Sequence, residues 1–185
     1  MKMLRAFFNY LNDEKGMRVG TFHKSFYVRN EQIPIVVLSP EQLNFLIYDK
    51  LFEESLSNRL QRTKDIFVFG CTVALRVSDL LNLNGSNLEI TDGSYYLKVT
   101  SKKTQTFTRI KLPDYAIEII KKYHRKRHKT LLPVISNFNL NKNIKLLAET
   151  VGWIDTVAKR RGRRGISVSL YRPSKGEKTF RFCDL

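Results

Sequence analysis

Apolar positions in the N-terminal half of the chain recur with the spacing of helices. Residues 4–12 predict a first helix. Ser39 followed by Pro40 predicts the start of a second, because Ser is a favoured N-cap and Pro is tolerated in the first turn. A third helix is predicted over residues 63–75, and residues 66–75 carry no charge. A helix without charge on any face belongs in a core.

The pattern then changes from helical spacing to alternation. Three alternating segments predict the strands of an antiparallel sheet: residues 88–90, 95–99 and 107–112. Asp92-Gly93 is typical of a tight hairpin turn between the first two. Further elements are predicted as helices at residues 78–83, after Pro113-Asp114 and at 140–153, and as a ragged hairpin at 165–171 with 178–182. The predicted fold class is α+β, mainly helical, with a small three-stranded antiparallel sheet.

Residues 16–38 interrupt this order, because they have no sustained helical or strand period. Such a segment is typical of an interdomain linker. Residues 1–15 are then expected to be the end of an upstream domain, and residues 39–185 to form a domain that follows it.

Positive charge is concentrated in the C-terminal part of the chain. The 33 Lys and Arg residues exceed the 17 Asp and Glu residues, which gives a net charge of +16. Residues 1–100 contribute +1 and residues 101–185 contribute +15. A one-sided field of this size indicates a polyanionic partner, and double-stranded DNA is the first expectation. A membrane partner is not expected, because no basic amphipathic helix or spanning apolar run stands out.

The two cysteines and the N-terminus indicate a cytoplasmic protein. Cys71 lies within an apolar run and Cys183 near the end of the chain, so both are predicted to be small core residues rather than disulfide partners. The first residues lack the apolar region and cleavage site of a secretory signal.

A charged motif directly follows the uncharged helix. Residues 74–83 read Ala-Leu-Arg-Val-Ser-Asp-Leu-Leu-Asn-Leu. The guanidinium of Arg76 suits a phosphate, because its planar fork donates bidentately and does not lose its charge. An ordinary ion-paired arginine at a helix end is the alternative. Lys103, with Lys102 beside it, lies in the predicted turn between the second and third strands.

These residues resemble the first arginine box of the tyrosine recombinases, or phage integrases, whose pattern is Gly or Ala, any residue, Arg, any residue, Ser-Glu-Leu. Asp79 stands where the family usually has Glu. The sheet with its Lys103-Thr104 turn and the following helix resemble the N-terminal part of the family's catalytic domain. The Leu-Ser-Pro-Glu-Gln-Leu segment at residues 38–43 is similar to the start of that domain in integrases of conjugative and transposable elements.

The resemblance implies a function and a role for each of these residues. Arg76 would bind the scissile phosphate, and Lys103 would protonate the leaving 5′ oxygen, with Lys102 as the alternative if the assignment is displaced by one residue. Residues 1–15 would end a core-binding domain, and residues 39–185 would be a partial catalytic domain. The intact protein would recombine or integrate DNA through a phosphotyrosine, together with other recombinase protomers and without a metal or other cofactor.

The family's second box, His-x-x-Arg, has one formal counterpart at residues 124–127. It follows the hairpin lysine by a single helix, whereas the family inserts further elements, so we do not interpret it as catalytic. Its basic side chains are instead expected to be a solvated face or a set of contacts to DNA phosphates. These residues are Arg125, Lys126 and Arg127, in a basic stretch that also includes Lys121 and Lys122.

A second basic run occupies residues 159–165, with five cations among seven residues. We expect a flexible loop that contacts DNA phosphates without reading bases. A solvated loop is the alternative. The DNA-binding candidates here are Arg160, Arg161, Arg163 and Arg164.

No tyrosine of the chain stands at the family's spacing after a His-x-x-Arg box. The chain is therefore expected to be a fragment that ends before the second half of its active site, either a shortened protein or the product of a truncated gene. The alternative function is a noncatalytic basic module that binds DNA or RNA. A ribosome-associated protein would explain the charge but not the Arg76 motif.

From this pattern we predict that the 185 residues bind DNA but form no covalent complex with it. The reason is the lack of a nucleophile in a catalytic context. The measurement is a denaturing gel of the protein incubated with labelled duplex DNA. A DNA band that migrates with the denatured protein would contradict the prediction.

Overall fold

The computed structural model describes residues 1–26, 37–123, 129–158, 160–163, 166–172, 176–177 and 179–181. The described residues form two compact units. Unit 1 contains those among residues 1–36 and 155–181, and unit 2 contains those among residues 37–154. No helix among the described residues is long and apolar enough to span a membrane.

Seven α-helices occur among the described residues. They are α1 (Lys2–Asp13), α2 (Pro40–Tyr48), α3 (Lys50–Ser55), α4 (Asn58–Val73), α5 (Val77–Leu80), α6 (Asp114–Tyr123) and α7 (Asn137–Val151). The predicted start of α2 is confirmed: the Ser39 hydroxyl accepts from the backbone N–H of Gln42, whose side chain accepts from the N–H of Ser39. This reciprocal capping box satisfies two backbone donors at the helix end.

The central helix α4 begins five residues earlier than predicted. The side chain of Ser57 accepts a hydrogen bond from the backbone N–H of Leu60 and caps the helix, so residue 63 lies inside it. The helix ends at Val73 because Ala74 adopts a left-handed φ of 50°. Few non-glycine residues adopt that conformation, and it terminates the run of helical hydrogen bonds.

The predicted three-stranded sheet is confirmed. Its strands are β1 (Leu88–Thr91), β2 (Ser94–Thr100) and β3 (Phe107–Lys111), antiparallel in the order β1-β2-β3. Asp92 and Gly93 both have positive φ, at 50° and 72°, and Thr91 pairs directly with Ser94 across this turn. A two-residue turn with this geometry matches the twist of the strands that it joins.

The core of unit 2 forms where the sheet packs against α4. Leu97 and Val99 of β2 belong to one buried cluster with Ile66, Phe69 and Val73 of α4. Burial of several such side chains stabilises the unit by roughly 1.5–3 kcal/mol each. Helices α6 and α7 contribute further buried members, Ala116, Ile120 and Leu140.

One cysteine prediction is wrong. Cys71 is exposed, although it lies within the charge-free segment of α4. Helix α4 packs against α2, α6 and α7, but these contacts do not cover Cys71, whose small side chain exposes little apolar area to solvent. Cys183 lies outside the described residues.

Helix α6 begins at Asp114, as predicted, whereas α5 and α7 begin earlier than predicted. The short helix α5 begins at Val77, one residue before the predicted start. Helix α7 begins three residues before residue 140, because the Ser136 side chain caps it by accepting from the backbone N–H of Asn139. Its C-cap, Gly152, has a φ of 86°, so the helix ends before Trp153.

Unit 1 contains α1 and a short 3-10 helix, Phe22–Ser25, within the segment predicted as a linker. His23 is buried, and its Nε2 lies 2.9 Å from Asn9 Oδ1. The ring of Phe8 contacts the rings of Phe22 and Phe26 edge to face. These contacts hold the 3-10 helix against α1.

The C-terminal strands pair differently from the predicted hairpin. They are β4 (Thr156–Ala158), β5 (Arg160–Arg163), β6 (Ile166–Ser169), β7 (Tyr171–Arg172), β8 (Gly176–Glu177) and β9 (Thr179–Arg181). The antiparallel pairs are β4 with β9, β5 with β6, and β7 with β8. Arg160–Arg163 is therefore a strand and not the predicted loop, because it pairs with the antiparallel strand β6.

Four charged side chains connect α3, α4 and α6. Lys64 Nζ lies 2.9 Å from Glu53 and 3.2 Å from Asp65, and Lys122 Nζ lies 2.6 Å from Glu53 and 2.8 Å from Asp65. Tyr123 adds a hydrogen bond of 2.7 Å from its hydroxyl to Asp65. Lys64 and Asp65 are each 3% exposed, so both charges are compensated within the protein.

The ionisation of this network depends on its geometry. Partial burial raises the pKa of Glu53, but hydrogen bonds from Lys122 and Lys64 outweigh it and bring the pKa below its usual 4.5. Burial also opposes ionisation of Lys122, yet its bonds to Asp65 and Glu53 raise its pKa. Burial and the bond to Asp65 raise the pKa of the Tyr123 hydroxyl. Glu53 and Lys122 therefore both remain charged at neutral pH.

Glu53 is expected to make stability depend on pH in acid. Because its pKa is lower in the folded than in the unfolded protein, its contribution is complete above pH 4.5 and is lost as the pH falls through the folded value. Glu53→Gln is expected to lower the free energy of unfolding at pH 7 by roughly 1–3 kcal/mol. The variant should also lose less stability than the original protein when the pH is lowered below 4.5.

Urea denaturation of both proteins at neutral and acidic pH measures these effects. Glu54→Gln, at an exposed position of the same helix, is the matched control and should change neither quantity appreciably. An equal effect of the two substitutions would contradict the role of the network.

Candidate functional site

A tight corner between α4 and α5 places Arg76 at the edge of the core. Ala74 ends α4, and Arg76 is the N-cap residue of α5. Gly70 lets the two helices approach, because a Cβ there would lie 3.0 Å from Cδ2 of the buried Leu80. The Arg76 carbonyl accepts from the N–H groups of Asp79 and Leu80, both at 2.9 Å. The backbone of Arg76 is thus held while its side chain is exposed.

The Arg76 side chain reaches the turn between β2 and β3. Its Nη1 donates to the hydroxyl of Ser101 and, at 3.5 Å, to that of Thr104. The Ser101 hydroxyl in turn donates to Asp79 Oδ2 at 3.2 Å. Asp79 is only 6% exposed. Ser101 therefore joins an exposed cation to a buried anion, and this chain of hydrogen bonds orients the guanidinium.

The same turn carries the two lysines. Its ends are joined by hydrogen bonds from Ser101 N to Thr106 O, 2.9 Å, and from Gln105 N to Ser101 O, 2.8 Å. Gln105 has a positive φ of 54°, which turns the chain back into β3. Lys102 and Lys103 lie exposed at the tip, and neither makes an ion pair with a described residue. The base of the turn is ordered by hydrogen bonds, and both ammonium groups face solvent.

This arrangement presents positive charge to a ligand from two elements. Nε and Nη2 of Arg76 donate to no described residue, so one edge of its fork is available. Such an edge matches two oxygens of a phosphate. Lys102 and Lys103 add two exposed positive charges from the neighbouring turn. In the described part of the chain, no cluster of His, Cys, Asp or Glu side chains is able to hold a metal ion.

The structure brings together the predicted residues Arg76, Lys102 and Lys103 at this site. The other DNA-binding candidates do not belong to it. Arg160 is exposed in β5 of unit 1, and Arg161 and Arg163 lie in the same strand. Arg125, Lys126, Arg127 and Arg164 lie outside the described residues.

Two observations change the sequence-based description of the site. Lys122 was assigned to the solvated basic stretch, but it pairs with Glu53 and Asp65. Ser101 was not singled out, although it bonds both Arg76 and Asp79. A serine at the end of a strand carries no signal of its own. The available signal is its position directly before Lys102 and Lys103, in the turn that the sequence already assigns to the site.

The chain matches no protein-family model and no curated protein sequence. It is similar to solved structures of the XerH site-specific recombinase. For XerH bound to palindromic difH substrate, in a post-cleavage complex, the TM-score is 0.51 and the identity 15%, over 74% of this chain and 39% of that chain. For XerH bound to difH substrate, in a pre-cleavage complex, the values are 0.49 and 14%, over 62% and 36%.

The similarity at a TM-score of 0.51 shows a shared fold. The predicted fold class is therefore confirmed: helices with a three-stranded antiparallel sheet, in the arrangement found in the XerH site-specific recombinase. The chain spans 39% of the length of the XerH chain that it matches in this way.

The hydrogen-bond chain at the site predicts an effect of Ser101 on stability. Ser101→Ala leaves the Asp79 carboxylate without its hydroxyl donor and frees the Arg76 side chain. The free energy of unfolding should fall by roughly 1 kcal/mol. Urea denaturation measures the change. Thr104→Val is the control and should have a smaller effect, because it removes the 3.5 Å contact to Arg76 and a hydrogen bond from Thr106 at an exposed position, and leaves Asp79 with its donor. Equal losses would contradict the role of Ser101.

Proposed function

We propose that this chain is the part of a tyrosine recombinase that binds the scissile phosphate of double-stranded DNA. The observation that carries the proposal is the oriented guanidinium of Arg76, joined through Ser101 to the buried Asp79. A phosphate gains most from a cation that is already oriented, because no further ordering is needed when charge develops on its oxygens. The fold shared with a recombinase supports this assignment.

Arg76 would clamp two nonbridging oxygens of the phosphate with the free edge of its fork. Its position at the rim of the α4–sheet core limits the movement of its backbone, so binding energy is not spent on ordering it. Asp79 would not contact DNA, because it is buried. Its role is to position Ser101 and, through it, Arg76.

Lys103 would supply a proton to the leaving 5′ oxygen as a general acid. Its place on a turn that contacts Arg76 through Ser101 and Thr104 supports a common ligand for both residues. Lys102, equally exposed on that turn, would contact the neighbouring backbone. Arg125, Lys126 and Arg127, together with Arg160, Arg161, Arg163 and Arg164, would add phosphate contacts that do not depend on base sequence.

The intact protein would cut and rejoin DNA strands through a phosphotyrosine, acting with other protomers in the cytoplasm. The bond energy would be kept in the covalent intermediate, so no nucleotide or metal would be required. The tyrosine and the His-x-x-Arg box would come from a segment outside these 185 residues. A parent gene that encodes both downstream of residue 185 would support this proposal, whereas a stop codon there would favour a noncatalytic binding module.

Arg76→Gln is expected to weaken binding of this chain to duplex DNA and to make it less sensitive to salt. Removing one phosphate contact should reduce the slope of log K against log salt by about 0.9. Arg76→Lys should retain the slope but lose part of the affinity, because an ammonium group cannot donate bidentately. Fluorescence anisotropy with a labelled duplex, at several salt concentrations, measures both.

Arg18→Gln, at an exposed arginine of unit 1, is the matched control for the loss of one charge. Arg18→Gln should reduce the slope of log K against log salt by less than Arg76→Gln does. If both substitutions reduce affinity and slope equally, binding depends only on net charge and the proposed role of Arg76 is wrong.

A further inference from the structure

A cavity lies at the opposite end of α4 from Arg76. It has a volume of about 510 Å³ and is formed by the first turns of α4 and α7 with the segment Pro133 to Ile135. Arg62, on its wall, precedes the end of α4 by eleven residues, which corresponds to about 16 Å along a helix. The cavity is therefore separate from the site built around Arg76.

The charged residues that line the cavity are all basic. They are Arg59, Arg62 and Lys142. All three are exposed, and no described acidic side chain pairs with any of them. In the same unit, by contrast, Lys64 and Lys122 each pair with two carboxylates. Three uncompensated cations around one cavity attract an anion.

Two helix N-termini add to this charge. Asn58 is the first residue of α4, and Asn139 lies in the first turn of α7; both line the cavity. These helices have 16 and 15 residues, long enough to carry a substantial macrodipole. The positive end of each dipole favours a bound anion.

A buried amide points independently to a ligand. Asn143 lines the cavity and is 5% exposed, yet its side chain has no hydrogen-bond partner among the described residues. The amide therefore keeps its donors for a ligand in the cavity. An oxygen-rich anion there would accept from its NH₂ group.

From these observations we infer that the cavity is a binding site for a phosphate group. Arg59 and Arg62 match the bidentate geometry of phosphate, Lys142 adds a third positive charge, and Asn143 donates from the floor. The volume also leaves room for a larger group attached to the phosphate, against the apolar Pro133 and Ile135. Two sources share this chemistry: a free phosphorylated small molecule such as a mononucleotide, and the backbone of DNA.

NMR of the uniformly ¹⁵N-labelled chain tests the site directly. Inorganic phosphate and adenosine monophosphate are titrated separately, at ionic strength kept constant with chloride. We expect the Asn143 side-chain amide resonances to shift and to saturate, with a dissociation constant near or below about 1 mM for the better ligand. Arg62→Gln or Lys142→Gln should weaken this binding roughly tenfold or more. Lys50→Gln, at an exposed lysine of the same unit, should not.

The arms of the experiment distinguish the sources. If the mononucleotide binds with much higher affinity than inorganic phosphate, the natural ligand is a free phosphorylated small molecule. Equal, weak binding of both, with the same Asn143 shift on addition of duplex DNA, indicates DNA backbone. Shifts that appear equally with chloride alone, or that persist unchanged in both Arg62→Gln and Lys142→Gln, overturn the site.

The same titration with Arg76→Gln separates this inference from the proposed function. The substitution should leave the phosphate-dependent shift of Asn143 unchanged, because the two sites lie at opposite ends of α4. Weaker DNA binding by Arg76→Gln with an intact Asn143 response supports both assignments. Unchanged DNA binding with an intact Asn143 response shows that the proposed role of Arg76 is wrong. Loss of the phosphate-dependent Asn143 shift in Arg76→Gln shows that the cavity is not a separate phosphate site.

Discussion

The apolar contact within the buried cluster that α4 and β2 share is the interaction on which the site in unit 2 depends. Ile66, Phe69 and Val73 lie in one buried cluster with Leu97 and Val99. This contact holds the end of a helix beside the end of a strand, and close-packed interiors tolerate little relative movement of such elements. Arg76 lies in the corner that follows α4, and the two lysines lie in the turn that follows β2. The packing of the core therefore sets the distance between them.

The basic side chains of unit 2 differ in whether an acidic side chain compensates their charge. Lys64 and Lys122 lie in a network with Glu53 and Asp65, where they connect three helices. Arg76 is linked to an anion only through a hydroxyl, so it keeps donors for a ligand. The count of 33 Lys and Arg residues therefore overstates the number of cations that are available to a polyanion.

The sequence predicted elements best where the signal is local. The alternation of β1 to β3, the Asp92-Gly93 turn and the Ser39 cap each depend on a few neighbouring residues, and each was confirmed. The start of α4 was missed because Ser57 is an ordinary polar residue until its hydroxyl is seen on the N–H of Leu60. The pairing of β5 with β6 and the contact of Ser101 with Arg76 join separate segments, and periodicity carries no information on such partners.

The turn between β2 and β3 has a further consequence for any phosphate bound by Arg76. Ser101 and Thr104 lie on either side of the two lysines, and both contact the guanidinium. The ammonium groups are thus tethered to the arginine by a very short segment of chain. Their encounter with such a phosphate would be intramolecular, so their local concentration there would be set by the geometry of the turn and would not change with dilution of the protein.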